Sequence, residues 1–194
     1  FYSNITHEFR TPLTVIQGMT KELETSPNKE PQKKLNLIKK NSNNLLALVN
    51  QMLDLSKLQA GKIVRDLKQD DIITFVRHLV ESHESFAKLQ NLSFQFYSEE
   101  QKLLMDFDPK KMETILRNLI SNAIKFTPEY GKILVVAKKI KERNQPVLQL
   151  KIKDSGIGIS PEQLPYIFDR FHQANPIHEN QGTGIGLALV KELV

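Results

Sequence analysis

Two asparagines, a lysine and two glycine-rich strings carry the residue types best suited to chemistry in the C-terminal half. Asn118, Asn122 and Lys125 recur at spacings of four and three, so on a helix all three project from one side. Two neutral amides and an ammonium make a mixed donor and acceptor set suited to phosphates and to hydrated Mg2+, a hard ion that keeps several waters. In the alternating run Leu148, Leu150, Ile152, Asp154, the aspartate falls at the end of a row expected to be buried. A carboxylate there needs a partner, and the exocyclic amine of an adenine would supply one. Gly156 and Gly158 allow a tight turn beside it and close approach of a ligand. Gly182-Thr183-Gly184-Ile185-Gly186-Leu187 opens a helix expected from Leu187 to Val194, which presents free N–H groups and a positive dipole end to phosphate. It is not a dinucleotide fingerprint, since no strand precedes it, and no GxxxxGK[ST] phosphate loop occurs. Taken singly, the helical triad reads equally well as solvent-facing residues, and the aspartate string as a strand-to-helix turn with a capping Asp.

The N-terminal half offers one reactive group. At 100° per residue, Ile5, Phe9, Leu13, Ile16, Met19 and Leu23 form one apolar stripe, and His7 points almost directly away from it. That histidine is expected to face solvent, with Glu8 beside it and the Thr11 hydroxyl one turn further on. Pro12 has no N–H for the Glu8 carbonyl, so a bend is expected just past the histidine. Alone, an exposed histidine reads as a solvated surface residue.

These groups need elements to hold them. The first helix should stop near Ser26-Pro27-Asn28, and Pro31 should start a second, whose Leu35, Ile38, Ser42, Leu45, Leu46, Val49 and Leu53 share a face continuing toward Leu58. Gly61 ends it. Two helices bury two apolar stripes poorly by themselves, so a second copy completing a four-helix bundle is the economical solution, and a homodimer is expected. The pattern then changes to strands at Ile63–Leu67, Leu92–Tyr97, Leu103–Phe107, Lys132–Ile140 and Val147–Lys153. Helices are expected from Asp71 to Gln90 and from Asp108-Pro109 to Phe126, the latter with Asp at the N-cap and Pro in the first turn. Its apolar stripe is Met112, Ile115, Leu116, Leu119, Ala123 and Phe126. Ser160-Pro161-Glu162-Gln163 looks like a capping box opening a short helix. The order implies an α+β chain: a helical hairpin, then a sheet with helices on one face. The polar run Gln173 to Gln181, with Ile177 its one strong apolar residue, reads as a mobile lid.

Composition narrows the classes. The 194 residues fit two small domains better than one, at about 150 residues per domain. There is no cysteine, which excludes disulfides, thiolate nucleophiles and Cys-bearing metal sites. The formal charge of +5, from 27 basic and 22 acidic residues, is modest and spread along the chain, which argues against nucleic acid as a partner. The densest basic cluster, Lys138 to Arg143, reads as a solvated hairpin. With no run of about 18 apolar residues and no basic-then-apolar leader, this segment is expected to be soluble.

The stretch Phe1-Tyr2-Ser3-Asn4-Ile5-Thr6-His7-Glu8-Phe9-Arg10-Thr11-Pro12-Leu13-Thr14 resembles the phosphoacceptor box of bacterial two-component sensor histidine kinases. Asn118/Asn122, Asp154-Ser-Gly-Ile-Gly, Phe168-Asp-Arg-Phe171 and Gly182-Thr-Gly-Ile-Gly then follow in the order of that family's N, G1, F and G2 boxes. The resemblance covers essentially the whole chain. It implies a dimerisation and phosphotransfer hairpin over 1–61 and an α/β sandwich ATP-binding domain over 62–194, incomplete at its C-terminus because relatives usually continue into further strands. It further implies a cytoplasmic catalytic portion of a protein anchored in the inner membrane through segments outside this chain.

By resemblance, His7 is the phosphoacceptor whose ring nitrogen attacks the γ-phosphorus of ATP, and Glu8 orients the ring and takes its proton. Asn122 would hold Mg2+, Asn118 and Lys125 would contact phosphates, Phe126 would pack near the base and Asp154 would read adenine. Thr183, with Gly182, Gly184, Gly186 and Leu187 of the last box, would contact phosphate. The phosphoryl group would pass to an aspartate on a response-regulator receiver domain, and Thr11 stands where relatives keep a residue that helps the reverse reaction. Arg10 and Arg170 read equally as phosphate contacts or surface charges; His172 and His178 receive no role, and His78 and His83 lie about 140° apart on a helix, which is no metal pair. One alternative is an ATPase of the gyrase, chaperone or mismatch-repair kind, but those carry a water-activating Glu where this chain has Asn118. The other is a dimeric scaffold that binds nucleotide without turnover.

Overall fold

The computed structural model describes the backbone of residues 2–25, 30–59, 66–142, 144–173 and 184–194, and their side chains except those of residues 2–5, 7, 54, 55 and 57–59. The chain divides into two compact units, Phe1–Ile63 with Tyr166–Glu192, and Val64–Pro165 with Leu193–Val194.

The first unit contains a pair of long helices, α1 (Tyr2–Thr25) and α2 (Pro31–Gln59), packed on each other. α1 runs unbroken through Pro12. Phe9, Ile16, Met19 and Leu23 of the expected stripe are half-buried, while Leu13 is exposed. Among the described side chains of α2 the fully buried apolar residue is Leu48, which the sequence stripe omits; Leu35, Leu46, Val49 and Leu53 of that stripe are exposed in the single chain. Ser26 to Asn28, Gly61 and the whole stretch 61–65 lie outside the described residues. The unit also includes α5 (Gly186–Leu193) as far as Glu192; the helix begins one residue before the sequence pattern.

The second unit is a layered α+β domain. β1 (Lys68–Asp71) leads into α3 (Ile72–Leu89), followed by β2 (Ser93–Ser98), β3 (Leu104–Phe107), α4 (Pro109–Phe126), β4 (Lys132–Glu142) and β5 (Gln145–Asp154). A mixed three-stranded sheet has the order β2-β4-β5, with β2 parallel and β5 antiparallel to β4. β1 and β3 form a separate antiparallel pair. Register puts Phe94 and Phe96 of β2, Ile133 and Val135 of β4, and Ile152 of β5 on one face. That face packs with Ile72, Ile73, Val76 and Val80 of α3 and Leu116, Ile120, Ala123 and Ile124 of α4 into one apolar core.

Three expectations need correction. Asp66 and Leu67, the described residues of the expected Ile63–Leu67 strand, lie in no strand; the described strand is Lys68–Asp71, whose residues are polar, and pairing of Lys68 through Asp71 with Phe107 through Leu104 is what makes them a strand. The Ser160 capping box opens no α-helix: Gln163 and Leu164 N–H groups both reach the Ser160 carbonyl, at 3.0 and 3.2 Å, and only a 3₁₀ turn, Leu164–Tyr166, follows. The stripe of α4 is rotated, because Ile120 and Ile124 lie in the core while Met112, Ile115, Leu119 and Phe126 are half-buried.

Candidate nucleotide site and phosphoacceptor helix

Asp108 fixes the start of α4. One carboxylate oxygen accepts from the Lys110 and Lys111 N–H groups, both at 3.1 Å, and the other from Asp66 N–H at 3.2 Å. Burial opposes the charge on Asp108, but these backbone donors and the nearby Lys111 ammonium outweigh it and hold its carboxyl below the usual value. A helix started there carries Asn118, Asn122 and Lys125 on one side, all three half-buried. Asn118 Nδ2 donates to the Thr114 carbonyl at 2.8 Å, which anchors the amide on the helix with its carbonyl oxygen and second N–H as the groups it can offer a ligand. The Lys125 Nζ lies 4.3 Å from the centroid of the Phe126 ring, a cation–π contact that draws the ammonium toward the C-terminal end of the helix.

The Asp154 turn is tied to that same end. Ile157 N–H donates to the Phe126 carbonyl at 3.2 Å, and Ser155 N–H to the Lys132 carbonyl at 3.0 Å. A Cβ on Gly156 would stand 2.6 Å from the Phe126 carbonyl oxygen, so the close approach of turn to helix requires glycine there. Gly158 adopts φ of +70°, the left-handed region, with open space where a side chain would project. Asp154 is on the sheet face expected, opposite Ile133, but it is exposed rather than buried. Its carboxylate accepts from Gly156 N–H at 2.9 Å, which supplies by local turn geometry a partner the sequence had assigned to a ligand. Asn118, Asn122, Lys125, Phe126, Asp154, Gly156 and Gly158 all lie in the second unit, and the Ile157–Phe126 hydrogen bond joins their two elements.

In the first unit, Glu8 is half-buried and Thr11 exposed. The His7 side chain lies outside the described residues, as do Gly182, Thr183 and the run 174–183. Gly184 takes φ of +62° and accepts from Phe171 N–H at 2.9 Å; Gly186 starts α5, with Leu187 half-buried behind it. Arg170, left open between phosphate and surface, is 3.4 Å from the Glu192 carboxylate.

Two family models match the chain. That of the His Kinase A (phospho-acceptor) domain covers residues 1–61, and that of the histidine kinase-, DNA gyrase B- and HSP90-like ATPase covers residues 107–194. The chain belongs to the histidine kinase family. Its kinase relatives include histidine kinase P4 of Formosa agariphila, 36% identical across all of this chain and 14% of that protein. Another is the signal transduction histidine-protein kinase BarA of Escherichia coli strain K12, 33% identical across all of this chain and 22% of that protein. The chain thus spans less than a quarter of these kinases. Among solved structures, the Acinetobacter baumannii histidine kinase AdeS shares the fold, with a TM-score of 0.76 at 24% identity over 96% of this chain and 85% of that one. Full-length ShkA in complex with AMPPNP matches with a TM-score of 0.70 at 28% identity, over 98% of this chain and 39% of that one. The match over residues 107–194 accordingly implies an ATP-binding domain in the C-terminal part of this chain.

Sequence reasoning missed one contact within the first unit. Gln173 Nε2 donates to Glu8 Oε1 at 3.2 Å, across 165 residues of sequence, and no local pattern signals it.

Proposed function

We propose that this region catalyses ATP-dependent phosphorylation of its own His7 and transfer of the phosphoryl group to an aspartate of a response-regulator receiver domain. The observation that carries the reading is the match of a phosphoacceptor domain and an ATP-binding domain, in that order, on one chain. The proposed division is 1–61 for dimerisation and phosphotransfer and 62–194 for ATP binding. A ring nitrogen of His7 forms the N–P bond to the γ-phosphorus, the bond from that phosphorus to the bridging oxygen breaks with its electron pair on ADP, and Glu8 takes the ring proton. Thr11 assists the reverse loss of phosphate from the receiver.

ATP is assigned to Asn118, Lys125, Phe126, Asp154 and the glycine turns, with Gly182, Thr183, Gly184, Gly186 and Leu187 on its phosphates. Among the described residues, no group of three or more His, Cys, Asp or Glu side chains could hold a metal. The half-buried Asn122 amide fits Mg2+ instead, because that ion takes few protein ligands and keeps water and phosphate oxygens. Bound there, it would neutralise phosphate charge, which is most of what phosphoryl transfer requires. Asn118, where water-activating relatives carry Glu, supports transfer to a protein group over hydrolysis. The exposed Leu35, Leu46, Val49 and Leu53 of α2 support a homodimer through a four-helix bundle. A reaction fed by ATP belongs in the cytoplasm, and membrane anchorage is assigned to other segments; no described helix is long and apolar enough to cross a bilayer.

The test is incubation with γ-labelled ATP and Mg2+, comparing wild type with His7→Ala. An alkali-stable, acid-labile label absent from the variant is expected. Steady phosphate release independent of His7 would replace the reading with an ATPase, and nucleotide binding without label would replace it with a scaffold.

A further inference from the structure

The first unit holds a second apolar cluster, in which Leu48 of α2, Phe171 and Ile185 are buried and Phe9 of α1 and Met52 of α2 pack against them. Phe171 and Gly184 are locked side by side: Phe171 N–H donates to the Gly184 carbonyl at 2.9 Å, and a Cβ on Gly184 would stand 2.6 Å from the Phe171 carbonyl carbon. Both flanks of residues 174–183 therefore converge on one patch of the helical hairpin. Phe9, in that patch, follows Glu8 directly, and Gln173 lies two residues beyond Phe171. The apolar cluster thus fixes the two backbones from which the Gln173–Glu8 hydrogen bond is made, at 3.2 Å between half-buried side chains.

We infer that Gln173 is a positioning residue for the Glu8 carboxylate, holding it oriented beside His7. An amide N–H directed at one carboxylate oxygen restricts rotation of the carboxylate, and a hydrogen bond to a charged group in partly dry surroundings is stronger than an exposed neutral one. The role rests on His7 being the phosphoryl acceptor, and it assigns Gln173 no contact with ATP. Losing the bond then affects the step in which Glu8 acts and leaves ATP affinity alone.

The experiment measures the rate of His7 labelling against ATP concentration for wild type, Gln173→Leu, Glu8→Gln and the double variant. Gln173→Leu is expected to lower the limiting rate about tenfold, the equivalent of one charge-assisted hydrogen bond, with KM for ATP unchanged. In the Glu8→Gln background it should have no further effect, since the two act as one. The same-sized Gln173→Glu, which sets two carboxylates against each other, is expected to slow labelling at least as much and carries the comparison if the leucine variant fails to fold. Labelling by either Gln173 variant at or above the wild-type rate, or equal slowing in both backgrounds, overturns the positioning role while His7 kinase activity stands. Absence of His7-dependent label from wild type overturns the kinase reading and this role with it.

Discussion

Gly156→Ala tests whether the Asp154 turn and the end of α4 form one site. The added methyl would stand 2.6 Å from both the Phe126 carbonyl oxygen and Asp154 Oδ1, about 0.8 Å inside ordinary carbon–oxygen contact. One of those neighbours is backbone, so the turn must withdraw from the helix. The Ile157 N–H bond to the Phe126 carbonyl, now 3.2 Å, would stretch to about 4 Å and be lost. Overpacking and one broken hydrogen bond together cost about 1–3 kcal/mol. Gly158→Ala provides the contrast. Its Cβ meets nothing within 4 Å, so it carries only the left-handed backbone penalty of about 1–2 kcal/mol, with no displacement of the turn. Urea unfolding and titration with a non-hydrolysable ATP analogue distinguish the two. Both variants should lose stability, but Gly156→Ala should weaken nucleotide binding about tenfold or more while Gly158→Ala stays closer to wild type. Equal affinities for Gly156→Ala and wild type would refute the proposal that the turn's approach to α4 builds the nucleotide site.

Acid should unfold the second unit through its helix caps. Burial opposes the charge of Asp71 as it does that of Asp108, yet the Thr74 hydroxyl and the Leu103 and Ile73 N–H groups hold its carboxyl below the usual carboxylate value. With folded values depressed, the unfolded chain binds more protons as pH falls, so this stability is complete above the unfolded value and is lost through the folded values below it. Urea midpoints from pH 7 to pH 3 should therefore drop more steeply below pH 4 for wild type than for Asp71→Asn/Asp108→Asn, and equally steep curves would contradict the cap assignment. At neutral pH, Asp108→Ala should cost about 0.5–2 kcal/mol. Leu46 and Leu53 are 61% and 52% exposed in the single chain, so Leu46→Glu/Leu53→Glu should yield a monomer with α1 and α2 intact; an unchanged mass by sedimentation would remove these residues from the dimer interface.

The parts of the fold legible in the sequence are those whose cause is local. α3 and α4 fall within a residue of their expected bounds because Asp71 and Asp108-Pro109 are local caps, each accepting from donors two and three residues on, to which the remote Leu103 and Asp66 N–H groups only add. Lys68-Gln69-Asp70-Asp71 carries no strand pattern and is extended only through its pairing with β3. The Ser160 string carries a helix-start pattern, yet the chain past Tyr166 does not continue a helix. Leu48 escapes the α2 stripe because its burial is set by Phe171 and Ile185, more than a hundred residues away.

The candidate site divides along the same line. Residue types suited to ligand contact, Asn122, Lys125 and Asp154 among them, announce themselves by spacing, whereas the groups that hold them do not. Gly156 reads in sequence as backbone freedom, but the structure gives it a different requirement, room for the Phe126 carbonyl. Gln173 reads as part of a polar run, but the structure sets it against Glu8. Both differences have the same physical origin: a side chain's capacity for chemistry is intrinsic, whereas the distance at which it is held depends on what the remote chain packs against. Substitutions at Gly156 and Gln173 should therefore act through geometry, moving binding at the first and the rate of phosphoryl transfer at the second, although neither residue is assigned a reacting atom.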